Sequence, residues 1–259
     1  MTAETGNGER ITGVESGSGN RLTGISSMAM RQVLAELAEA YERQSGQAVA
    51  IVSVGGVDAA RRVYEGEAFD FVVLAADAME QLAAGDRVDP WSTTGIARSA
   101  VAIAVAAGAT RPDVSSETAI RDAVLRARSI GYSTGPSGAH LVRLFERWAI
   151  ADAVAPRSVQ ASPGVPVGTL VARGDVELGF QQLSELMHVP GIDVIGLLPQ
   201  EIQISTVFSG AVCTASNRPA AAKALLSFLA SPEADVAKRR HGMEPAWPPS
   251  QAVRERYGI

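Results

Sequence analysis

The feature that most constrains this chain is its set of short, continuously apolar segments, each followed by a stretch with helical spacing. "AVAIVSV" (48–54), "FDFVVLAA" (69–76) and "SAVAIAVAA" (99–107) do not alternate polar with apolar residues. A strand of that kind is expected to be covered on both faces, as in a sheet flanked by helices. Between the segments, apolar side chains recur every three or four residues. Met30, Val33, Leu34, Leu37 and Tyr41 mark one face of a helix over 28–43. Further helices are expected at 58–65, near 117–128, from Ser137, and over "RPAAAKALLSFLAS" (218–231), with strands at "SIGYS", "VELGFQQ", "IDVIGLLP" and "STVFSGAVC". The fold class is α/β, with mainly parallel sheets and helices on both faces.

Size and charge narrow the function. A chain of 259 residues allows one large domain or two lobes. The net charge of -5 removes the general attraction on which nucleic-acid binding depends, so no nucleic-acid partner is expected. A small anion stays open, because a few local donors decide its binding. Cys213 is the single cysteine, inside an apolar run, and reads as a buried small hydrophobe. Residues 1–20, rich in Gly, Ser and Thr, read as a flexible leader. They show no basic start with an apolar core, which points to the cytoplasm for the chain as written; a misplaced start would hide a signal and make it periplasmic.

Three turns share a character: "GISSM" (24–28), "SVGGVDAA" (53–60) and "STGPSGAH" (133–140) each end a strand and open a helix with small or polar residues. Strand-to-helix turns of a parallel sheet lie where ligands bind, and the free N–H groups of a helix's first turn favour an anion. The same residues also serve as ordinary helix caps.

The ordered set "GISSM", "SVGGVDAARRVYEGEAFDFVVLAAD", "RSAVAIAV", "IGYSTGPSG", "VPVGTLVARGDVELGFQQLSEL" and "LLSFLASPEADVAKRRHGMEPA" resembles molybdate-type solute-binding proteins of ABC transporters over about 22–246. The resemblance implies a type II periplasmic-binding-protein-like fold, with two lobes, two crossing strands near 98–105 and 203–213, and a ligand in the cleft between. Lobe 1 would comprise 21–97 and 206–259, lobe 2 98–205. Ser26 and Ser27 fall where the family places its first hydroxyl ligand. Ser133, Thr134, Ser137 and Gly138 would form one lip, and Val167 falls in the matching "VPVGTL" stretch. Where the family offers serines after the second strand, this chain has Gly55 and Gly56; its usual phenolic ligand is matched by Gln182. Those departures leave room for a larger ligand with carboxylates. The implied partners are a small anion and an ABC transporter membrane subunit.

Arg61, Arg62 and Arg98 are the cations that could clamp a carboxylate, with a solvated surface role as the alternative for each. His140, His188 and His241 give no metal-ligand spacing, and no cofactor motif is present, so neither metal nor cofactor is expected. His140 and Glu185 are the acid/base candidates should the protein be an enzyme; a helix-surface histidine and a capping carboxylate are the plainer readings. Some proteins resembling this family are aconitate isomerases, which shift a proton and double bond within a tricarboxylate. The expected function is therefore solute binding, with an aconitate-isomerase-like enzyme second and a cytosolic ligand sensor third.

Overall fold

The computed structural model describes residues 21–246; the leader expected at 1–20 and residues 247–259 lie outside the described part. The first half of the fold is built on β1 (Arg21–Ser27), with β2 (Ala48–Val54) and β3 (Phe71–Ala75) parallel to it on either side. Each of these strands leads into a helix: α1 (Arg31–Ser45) after a single 3-10 turn, α2 (Gly56–Tyr64) and α3 (Ala76–Ala84). Gly46 ends α1 in the left-handed region (φ 72°), where its N–H bonds the Glu42 carbonyl, a conformation that costs glycine nothing.

The centre of the sheet is antiparallel. β4 (Thr94–Ala106) is 13 residues long and serves two sets of partners. Its first part, through Ala100, pairs with β9 (Ser205–Val212), which in turn pairs with β3. Its second part, from Val101, pairs with β7 (Leu178–Gln182) and β8 (Ile192–Leu197). Beyond β7 the sheet is parallel again, through β5 (Ile130–Tyr132) to β6 (Ser158–Gln160). A two-residue β10 (Glu244–Pro245) returns to the first part of β4. The two crossings expected from sequence thus correspond to β4 and to the entry into β9. At the second, Gln203 bonds both the N–H and the carbonyl of Val101, tying the loop before β9 to the midpoint of β4.

Each half has its own core. Leu34, Leu37, Phe71, Val73 and Ile96 pack with Leu225 and Leu229 of α9 (Pro219–Ala230). In the other half, Val101, Ile103 and Phe180 pack under α4 (Glu117–Arg126) and α5 (Pro136–Arg147), through Ile120, Val124, Leu141 and Phe145. Every such side chain fully removed from water contributes about 1.5–3 kcal/mol. The remaining helices are α6 (Ala151–Val154), α7 (Val167–Arg173), α8 (Leu183–Leu186) and α10 (Asp235–Arg240). Among the described residues, no helix is long and apolar enough to cross a membrane.

Candidate functional site

The carboxyl ends of β1, β2 and β3 point toward those of β5 and β7, and between them lies a cavity of about 560 Å³. One wall carries Ser27, Gly55, Gly56 and the start of α3; the other carries Ser133 to Ser137, Gln181, Gln182 and Glu185. Helices α2 and α5 both begin here, at Gly55 and Gly135, and neither has a side chain capping its first turn. By contrast α4, on the outside, is capped by the Ser116 hydroxyl accepting from the Ala119 N–H. At the cavity this leaves free the N–H groups opening α2 and, in α5, that of Ser137 alone, because Pro136 has none and Gly138 bonds the Gly135 carbonyl; the positive ends of two helix dipoles lie behind them.

Two buried polar atoms in these walls have no protein partner: the Ser27 hydroxyl and the Gln182 side-chain carbonyl. Ser27 is 8% exposed and Gln182 2%, so water does not freely serve them. Gln182 spends its amide N–H on Thr206 Oγ1 at 2.7 Å. Unpaired buried polar atoms cost about 1–3 kcal/mol each, and both of these belong to residues lining the one cavity, a place suited to completion by something else.

Glu185 reaches the same cavity. Burial pushes its carboxyl up to about 7, against the downward pull of a hydrogen bond from Gln181 Nε2 at 2.8 Å. Gln181 is itself oriented, because its Oε1 accepts the Val167 N–H at 2.7 Å. A carboxyl titrating near neutrality can both give and take a proton.

The residues singled out from sequence do not all meet here. Ser27, Gly55, Gly56, Arg61, Ser133, Thr134, Ser137, Gln182 and Glu185 line the cavity. Ser26 lies behind it, bonded to Ser53 at 2.8 Å, and Val167 serves it only through Gln181. Gly138 is packed under the lip: a Cβ there would fall 1.8 Å from the Ser133 carbonyl oxygen. His140 bonds the Ile202 carbonyl at 2.7 Å and is absent from the wall, so α5 turns it to the far side. Arg98 is exposed and lines a separate, smaller depression with Leu197, Arg239 and Glu244. Its position on β4 before the crossing faces it away from the cavity. Arg62 is held by Glu67 at 2.6 Å. Arg61, the one cation in the wall among the described residues, is exposed at the rim and paired with Asp58 at 2.5 Å and Glu65 at 2.7 Å.

Two contributors to the wall carry no motif that marks them in the sequence. One is the loop Ser162–Val165, whose Gly164 backbone nitrogen would sit 3.3 Å from a Cβ on Gly55, so a serine there would press on the opposite wall. The other is the Asp77 to Gln81 face of α3. Among the described residues, no group of three His, Cys, Asp or Glu is placed to hold a metal ion.

Two α/β halves that share β4 and are joined again at the entry into β9, with a polar cavity where their strand ends meet, define a two-lobed solute-binding architecture. The chain belongs to the bacterial extracellular solute-binding protein family, whose model matches residues 22–244. It is 38% identical over 226 residues to an aconitate isomerase from a Pseudomonas species, covering 85% of this chain and 86% of that protein. Its fold is similar to the periplasmic molybdate-binding protein of Azotobacter vinelandii, with TM-score 0.72, 20% identity and coverage of 86% and 98% of the two chains. It is likewise similar to the sulfate-binding protein of Mycobacterium tuberculosis, with TM-score 0.72, 16% identity and coverage of 92% and 91%.

Proposed function

We propose that the cavity binds a small polycarboxylic acid between residues 21–97 with 206–246 on one side and 98–205 on the other, and that binding draws the two sides together. The observation that carries this reading is the pair of buried, unpartnered atoms, Ser27 Oγ and Gln182 Oε1, in two residues that line the one cavity. The N–H groups opening α2 and α5 suit carboxylate oxygens. At about 560 Å³ the space is in the range of sites for organic molecules, which run from about 300 to 1,000 Å³. Glycine in place of side-chain hydroxyls at 55 and 56 keeps that space open. In a solute-binding role, the partner is an ABC transporter membrane subunit.

A second reading is favoured by Glu185: an isomerase that moves a proton on a bound tricarboxylate, as in the relative from Pseudomonas. Glu185 lines the cavity, and its carboxyl titrates at about 7 and is fixed by Gln181. In this reading Glu185 takes a proton from one carbon of the allylic system and returns it to the other, while the uncapped turns hold the carboxylates.

One screen tests both. Thermal unfolding is followed with molybdate, sulfate, citrate and each aconitate isomer, and the aconitate samples are read by NMR for interconversion. A ligand at 100 times its dissociation constant adds about 2.7 kcal/mol. We expect the polycarboxylates to raise the melting temperature. A response confined to molybdate or sulfate would overturn the reading, and interconversion decides for the enzyme.

A further inference from the structure

Away from the cavity, three titratable side chains form a line across the two halves. Glu36 of α1 takes a hydrogen bond from His241 Nε2 at 2.8 Å, and His241 Nδ1 meets His188 Nε2 at 2.9 Å. His188 follows α8, which opens with the cavity-lining Gln182 and Glu185, and precedes β8, on the second part of β4. His241 closes α10, which packs on α1 and β10, both on the first part. The contact therefore joins the half that carries the Glu185 wall to the half that carries Ser27. It is reinforced by packing: Gly242, at φ +68°, lies so close that a Cβ would fall 2.6 Å from Met187 Sδ and 2.9 Å from Leu183 Cγ.

The two ring nitrogens can meet only while one of them lacks a proton. A Glu36 carboxylate holds a proton on His241 Nε2, leaving Nδ1 of the neutral ring to accept from His188 Nε2–H. One added proton is accommodated by moving the shared hydrogen; a second puts N–H against N–H. The surrounding charges are Glu36 on α1, Arg239 and Arg240 on α10, and Glu244 on β10. Arg240 pairs with Glu36, and Arg239 lies 3.7 Å from Glu244. The carboxylate beside the pair is thus already shared with an arginine. Burial, and then repulsion from His241 whenever that ring is charged, hold His188 below the usual histidine range.

We propose that the His188–His241 contact is a proton-sensitive latch, which holds α8 and its Gln182 and Glu185 wall against α10 at neutral pH and lets go in mild acid. The sign follows from linkage. A histidine whose native pKa is depressed stabilises the native contact above its ordinary value near 6.5, and that support is lost as pH falls below it.

The test is hydrogen exchange of the ligand-free full chain at pH 7.5 and 5.5, corrected for intrinsic rates, so its outcome does not depend on which ligand binds. One unit below the ordinary histidine value, a single linked proton weakens the contact about tenfold. We expect protection over 183–190 and 237–243 to fall by that factor in the native chain, relative to the rest of the fold. His188→Gln, which keeps a donor but does not titrate, should stay protected at both pH values. A native chain without the acid loss, or a His188→Gln variant that keeps it, would overturn the latch.

Discussion

Replacing Ser27 by alanine should move stability and binding in opposite directions. In the ligand-free protein the Ser27 hydroxyl is buried and unpaired. Removing it takes away a desolvation cost of about 1–3 kcal/mol while leaving Cβ in place. For a chain of this size each kcal/mol corresponds to about 2–4 °C, so Ser27→Ala should melt a few degrees higher than the native protein. With an acid bound, the same hydroxyl donates to a carboxylate, worth about 1.5–3 kcal/mol, and its loss should weaken binding by about 10- to 150-fold. Thermal unfolding without ligand and titration calorimetry with trans-aconitate read the two effects separately. A purely structural serine gives the opposite pattern: lower melting temperature and unchanged affinity. That result, or unchanged affinity alone, refutes the assignment of Ser27 as a ligand contact.

Glu185→Gln gives a pH-dependent outcome whose sign is fixed by the raised pKa. The native protein gains from protonated Glu185 below the ordinary carboxyl value near 4.5 and loses that gain as pH rises through about 7, so the variant should be the more heat-stable at pH 8 and lose its advantage in acid. If trans-aconitate is isomerised, the variant should also lose about 10²- to 10⁴-fold in turnover, read by NMR. Gly138→Ala drives a Cβ into the Ser133 carbonyl, 1.8 Å away, and should destabilise the chain by at least about 1–3 kcal/mol in a denaturant titration while distorting the lip.

How much of this was legible in the sequence depends on whether the signal was local. The helix expected over 28–43 forms as a 3-10 turn and α1, ending at Ser45, because its apolar face repeats at helical spacing and Gly46 stops it. The helices at 117–126 and 136–147 were legible for the same reason, as were the three strand-to-helix turns, each of which reaches the cavity or its lining. Direction of pairing was not. The apolar run at 99–106 reads like any strand covered on both faces, yet β4 pairs antiparallel with β7, β8 and β9. Side-chain placement across the fold was equally hidden. His140 sits one residue past the wall-lining Ala139, and a single step along a helix turns the side chain by about 100°. Arg98 stands on the wrong side of a strand whose crossing point only the pairing reveals. Glu185 could be found from "QQLSEL", but its partner Gln181, and the Val167 N–H that orients it, could not.

The double service of β4 has a consequence for how the chain is made. Residues emerge from the ribosome in order, and β1, β2 and β3 leave it first, but β3 has no neighbour on its open side until β9 arrives at Ser205–Val212. The core under Leu34 and Phe71 is likewise finished only by α9, at Pro219–Ala230. The middle of the chain has no such wait, since β5, β6, β7 and β8 all find their partners with β4 or each other before residue 200. The half that starts second is therefore complete first, and the N-terminal strands stay with an unpaired edge through most of synthesis. An open strand edge is a site for wrong pairings between chains. The nascent protein is most exposed to aggregation just before β9 and α9 appear, and a product stalled short of them is its most hazardous form.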